Sequence, residues 1–188
     1  MSDDQQLIDD CLRGNSAAFG ELVARYQDRL YNTVLRVVDH PEDARDVVQE
    51  AFLHAYQSLH SFKGNARFFT WLYRIAFNTA ISLKRKRRLV LRLQPAADGS
   101  GGIDPHDPSE TSRPGHALEM AEEEKRVREA LGRLSAEHRA VLVLKDMEGM
   151  KYEEMAEALQ VPIGTIRSRL HRARLEMRDI LLQEEKND

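Results

Sequence analysis

Apolar residues recur along most of this chain at the three-and-four spacing of a helix. Between Phe19 and Val38 the stripe is Phe19, Leu22, Val23, Tyr26, Leu30, Val34 and Val38. Asp39-His40-Pro41-Glu42-Asp43 ends that helix and opens the next. Proline tolerates the first helical position, and acids there meet the positive end of the helix dipole. From Pro41 to Leu59 the inward positions are Ala44, Val47, Val48, Ala51, Phe52, Ala55 and Leu59. The opposite face shows Asp43, Asp46, Gln49 and Glu50. Such a face is either solvated or a docking surface for a basic partner.

After the polar loop His60–Ala66 comes Arg67–Arg88, a helix that ends in five consecutive cations, Lys84–Arg88. Eight of the chain's twelve aromatics fall between Phe52 and Phe77. Leu72, Ile75, Ala76 and Thr79 suit a core face, but Phe68, Phe69, Trp71, Tyr73 and Phe77 are not expected to share it all together. Two readings follow. The rings are core and the cations cap the helix C-terminus, or rings and cations together form a surface for unstacked bases and their phosphates.

Residues 94–118 lose the periodicity and hold four of the six prolines and four of the ten glycines, which predicts an acidic flexible linker. Twenty-five residues reach about 80 Å when fully extended, so the flanking domains need not touch. Periodicity returns at Glu119–Leu134, with Leu118, Val127, Ala130, Leu131 and Leu134 as its apolar set. Ser135 with Glu137 and His138 predicts an N-cap for a strongly apolar helix over Ala136–Asp146, and Gly149 a C-cap. The tail from Leu181 onward reads as polar and frayed.

Tyr152–Met177 carries the sharpest pattern. Met155, Ala156 and Leu159 line a first short helix. Gln160-Val161-Pro162 breaks it, since the residue before proline is pushed out of the helical region. Ile166, Leu170, Ala173 and Met177 then form the buried stripe of a second helix whose outer face holds Arg167, Ser168, His171 and Arg172. A short helix, a turn and a basic helix match a DNA-binding helix-turn-helix, in which arginine pairs with guanine edges in the major groove. The plainer reading is an amphipathic hairpin with a solvated basic face.

The whole is thus an all-α chain of two small helical domains, residues 1–93 and 119–188, joined by a flexible linker over 94–118. The net charge of −3 argues weakly against nucleic acid, but its distribution matters more than its sum. Residues 1–66 carry a net −5 and residues 67–92 a net +8, which predicts one basic and one acidic partner surface. Cys11 is alone, so no internal disulfide forms, in keeping with a reducing cytoplasm. The N-terminus lacks the basic-then-apolar plan of a secretory signal, and no apolar run approaches a membrane span. No phosphate-binding glycine loop, zinc-protease motif or paired-cysteine spacing occurs. The seven histidines are scattered, so neither a metal, a cofactor nor a catalytic constellation is expected.

Three stretches, Asp43–Gly64, Phe68–Ala80 and Leu144–Arg174, together resemble the extracytoplasmic-function group of bacterial sigma factors. That resemblance implies a non-enzymatic initiation factor that binds core RNA polymerase and directs it to two-box promoters. It implies polymerase contacts at Asp46, Gln49 and Glu50. It places minus-ten contacts at Phe62, Lys63, Gly64, Asn65 and Asn78, with Lys84 and Arg85 beyond them. It assigns Trp71 and Tyr73 to packing. Arg167, Ser168, His171 and Arg172 match base-facing positions at the minus-thirty-five element, and Lys145, Tyr152 and Glu153 match backbone contacts. An anti-sigma partner is implied, and no small-molecule substrate. The rivals are a stand-alone helix-turn-helix regulator and a single-strand nuclease; the second lacks clustered metal-binding carboxylates.

Overall fold

The computed structural model of the chain describes residues 3–38, 40–93 and 114–184, with side chains given at 3–38, 40–83, 122–123 and 125–183. Among the described residues all regular structure is helical. Helix α1 spans Asp3–Leu12, α2 Ser16–Leu35, α3 Pro41–Gln57 and α4 Phe68–Leu93. A single 3-10 turn, Leu59–Ser61, leads from α3 toward α4. Helices α5 (Pro114–Arg133), α6 (Ala136–Leu142), α7 (Tyr152–Leu159) and α8 (Ile163–Glu184) follow.

Helices α2, α3 and α4 pack around one apolar centre in which Leu22, Leu30, Val47 and Leu72 are wholly buried. Proline stands at the first turn of α3, with Glu42 and Asp43 in that turn, as the sequence predicts. Helix α1 was not predicted. Leu7 and Ile8 are its buried residues, too few for periodicity to register. Those two side chains join the core, and polar contacts with α2 add to them: Arg25 bridges Asp3 and Asp4, and the Tyr26 hydroxyl donates to Asp4.

In the second domain α8 packs on α5, α6 and α7. Ser135 caps α6 by accepting from the His138 amide at 3.2 Å. The predicted helix over Ala136–Asp146 is α-helical only to Leu142. From Val143 to Met147 it widens to a π turn, with the Glu148 amide reaching the Val143 carbonyl. Gly149, at φ +65°, then takes the left-handed bend that the sequence assigns to it. Helix α5 starts at Pro114, earlier than the expected Glu119. The tail is not frayed at Leu181, because α8 continues to Glu184 and buries Ile180.

One expectation is overturned outright. Phe68, Phe69, Trp71, Tyr73 and Phe77 are all buried. The reason is that α4 packs against α2 and α3 and also against α7 of the second domain. A helix packed against more than one neighbour buries rings on more than one face, while Asn78 and Ile81 stay exposed. The domains, whose linker would let them stay apart, therefore meet.

Candidate nucleic-acid interface

The outer face of the second helix-turn-helix element forms as predicted. Gln160 caps α7 in the left-handed conformation, at φ +55°, and turns the chain into α8. Ile166, Leu170 and Ala173 are buried beneath it. Arg167, Ser168, His171 and Arg172 are exposed. Neighbouring cations are already engaged: Arg169 pairs with Glu137 at 2.8 Å and Arg174 with Asp146. His171 and Arg172 make no hydrogen bond or ion pair among the described residues. Ion pairing thus sorts the arginines of α8 into scaffold and available groups. A cation with no carboxylate partner keeps its full charge for an anion.

Lys145 and Tyr152 form a supporting corner rather than an open pair. The Lys145 ammonium donates to the Met150 carbonyl at 3.1 Å and lies 5.2 Å from the Tyr152 ring centre. Arg167 lies over the same ring at 5.9 Å. Glu153 is exposed in the first turn of α7.

On the first domain, the loop after α3 folds into a cleft of about 260 Å³ lined by Ser61, Phe62, Lys63, Gly64, Asn65, Ala66, Trp71, Arg74 and Glu157. The predicted residues Phe62 to Asn65 come together there. Gly64 needs its left-handed φ of +70°, and a Cβ would stand 3.3 Å from the Gln5 side chain. Phe62 is half-buried, edge-on to Phe68 and Trp71. Asn78 is exposed on α4 outside this cleft. The side chains of Lys84 and Arg85 lie outside the described residues. Arg74, which the sequence did not single out, supplies the cleft with a cation from α4. Its i+3 spacing from Trp71 was the available signal.

On α3, Asp46, Gln49 and Glu50 are exposed along one face. Among the described residues Glu50 has only a distant ion-pair partner, His54 at 3.9 Å. The exposed Leu53 and Tyr56 continue that face. Among the described residues no cluster of His, Cys, Asp and Glu could hold a metal ion.

Two helical units, one with a loop cleft and the other with an exposed basic helix-turn-helix, define the class of two-part promoter-recognition proteins. Residues 22–90 match the Sigma-70 region 2 family and residues 124–177 the Sigma-70 region 4 family. The chain is 39% identical over 173 residues to the RNA polymerase sigma-H factor of Pseudomonas aeruginosa, covering 91% of this chain and 90% of that one. It is 38% identical over 182 residues to the ECF RNA polymerase sigma-E factor of Escherichia coli K12, covering 91% and 90%. In structure it is similar to CnrH in complex with the cytosolic domain of CnrY, at 29% identity and TM-score 0.66, over 95% of this chain and 96% of that one. The sigma factor RpoE in complex with the anti-sigma factor NepR from Bartonella quintana shares the fold, at 24% identity and TM-score 0.71, over 87% and 96%.

The chain belongs to the ECF group of bacterial RNA polymerase sigma factors, and it is a transcription initiation factor. The reading as a stand-alone regulator is not favoured. No helix among the described residues is long and apolar enough to cross a membrane.

Proposed function

We propose that this factor docks core RNA polymerase through Asp46, Gln49 and Glu50 and seats it on a promoter through two separate DNA contacts. Residues 1–93 form the polymerase-docking and minus-ten unit, 94–118 the tether and 119–188 the minus-thirty-five unit. In the first unit the Phe62–Asn65 loop accepts an extruded minus-ten base, with Asn78, Lys84 and Arg85 along the strand. Extrusion costs a few kcal/mol of stacking and pairing, offset by ring and hydrogen-bond contacts in the pocket. In the second unit Arg167, Ser168, His171 and Arg172 read base edges, while Lys145, Tyr152 and Glu153 set the register on the backbone. The chain does no chemistry of its own; the recruited polymerase does. It works in the cytoplasm, at the nucleoid. An anti-sigma protein restrains it, a reading supported by relatives of the same fold that are held by such partners.

The observation that carries this reading is the pairing state of α8: its flanking arginines are tied to carboxylates, while Arg172 and His171 face outward with no such partner among the described residues. Run-off transcription over a promoter library tests it. Core polymerase with this factor is expected to start at a two-box promoter that core alone ignores. Absence of any factor-dependent transcript would refute it.

A further inference from the structure

Helix α1 lies outside residues 22–90, the part that matches the Sigma-70 region 2 family, and it carries none of the residues assigned to polymerase or promoter contact. It nevertheless reaches both edges of the loop Phe62–Asn65. It packs on α2 and on the 3-10 turn Leu59–Ser61 that runs into the loop. At one edge Gln5 stands against Gly64, so close that a Cβ there would lie 3.3 Å from Gln5 Oε1. The Gln5 amide is itself held: its Nε2 donates to Asp9 Oδ1, one helical turn on, at 2.9 Å. A carboxylate only accepts, so it takes the nitrogen end of the amide and leaves the oxygen end for the loop.

At the other edge the path runs through rings. The Tyr26 hydroxyl donates to Asp4 of α1, and the Tyr26 ring centre lies 5.5 Å from that of Phe68. Phe68 meets Phe62 edge-on, with 5.8 Å between centres. Arg25 pairs with Asp3 and Asp4 and pins the start of α1 to α2.

The loop between these two contacts has little support of its own. Among the described residues the amides of Lys63, Gly64, Asn65 and Ala66 reach no main-chain carbonyl. Gly64, at φ +70°, is the residue type with the widest choice of backbone shapes. A loop of this kind binds well only when a neighbour holds it in the shape its ligand needs, because the ordering cost is then met before binding.

We propose that α1 is a brace that presets the minus-ten loop, with Gln5 and Asp9 as positioning residues that act through Gly64 on the pocket for the extruded base. This rests on the reading of Phe62–Asn65 as the minus-ten contact. When the competent form is a fraction of the population, apparent affinity falls by that fraction. A loop in the competent shape only about one-fifth of the time therefore captures the base about fivefold more weakly.

The test uses the full chain on core polymerase with a two-box promoter taken from the run-off library. An adenine of the non-template minus-ten strand is replaced by 2-aminopurine, whose fluorescence rises as it unstacks. Gln5→Ala and Asp9→Ala each slow that rise about fivefold. Affinity for core, and affinity of the holoenzyme for a duplex carrying the upstream box alone, stay at wild-type values; a general loss of folding would lower both. Asp9→Asn removes the same charge as Asp9→Ala but keeps an oxygen for the Gln5 amide, so it recovers most of the lost rate. Arg13→Ala, which breaks an exposed pair with Asp10 on the same helix, leaves every readout unchanged. Wild-type opening rates in both Gln5→Ala and Asp9→Ala overturn the brace. So does an equal loss in Asp9→Asn and Asp9→Ala, or a fall in core affinity that matches the fall in opening. No factor-dependent transcript from the wild-type chain refutes the promoter reading itself, and the brace falls with it.

Discussion

The guanidinium of Arg139 donates through Nη1 to the carbonyl oxygen of Val37 at 3.0 Å, across 102 positions of sequence. Its Nη2 donates to the carbonyls of Gly132 at 2.7 Å and Leu134 at 3.3 Å. A buried cation thus seats on oxygens just past the end of α2 and in the last turn and just past the end of α5, where carbonyls lack helical donors and the dipole is negative. Through these main-chain contacts it joins the two domains.

Arg139→Met keeps the apolar stem and removes these bonds. We expect unfolding free energy to fall by about 2–4 kcal/mol, since hydrogen bonds from charged donors are strong and the carbonyls stay buried. Urea denaturation measures it. A loss within ~0.5 kcal/mol would mean the oxygens find water instead.

Tyr26 ties α1 to α2 in a pH-dependent way. Burial, then the hydrogen bond to Asp4, push its phenol up to about 12. The folded chain therefore holds this proton more tightly than the unfolded chain, whose phenol titrates near 10. The stability from this contact is whole below about pH 10 and is lost as pH rises through about 12. Tyr26→Phe lacks that dependence. The stability difference between wild type and Tyr26→Phe should stay level to about pH 10 and then narrow; parallel curves throughout would contradict the assignment.

Glu50→Lys separates folding from docking. Glu50 is exposed and its only ion-pair partner among the described residues is 3.9 Å away, so thermal stability should move by no more than ~0.5 kcal/mol. Affinity for core polymerase should drop at least tenfold if the acidic face meets a basic one, because a like-charge contact costs several kcal/mol. Equal affinities of the two proteins for core, by fluorescence titration, would remove Glu50 from the interface.

Arg172→Ala distinguishes base reading from phosphate attraction. A guanidinium on a guanine edge accounts for about 1–3 kcal/mol of discrimination at one upstream position. Selection from a randomised minus-thirty-five box should lose preference there alone. A uniform loss over all sequences, with a smaller salt slope, would make Arg172 a phosphate contact.

Much of this architecture was legible beforehand. The stripes over Phe19–Val38 and Pro41–Leu59, the break at Gln160–Pro162 and the outward Arg167–Arg172 face all rest on local rules: periodicity, proline geometry and end capping. These need only neighbours a few residues apart. The five aromatics of α4 were misjudged for the opposite reason. One helix offers one core face, and only the arrival of α7 from the other domain supplies the second.

The sequence by itself determined an all-helical chain, the exposed basic face of α8 and the exposed acidic face of α3, because each is set by side-chain spacing along a single helix. Tertiary structure alone decided which cations remain available, what covers α4 and where Arg139 is bound. Those depend on distances between residues far apart in the chain, and no local pattern encodes a distance across a linker.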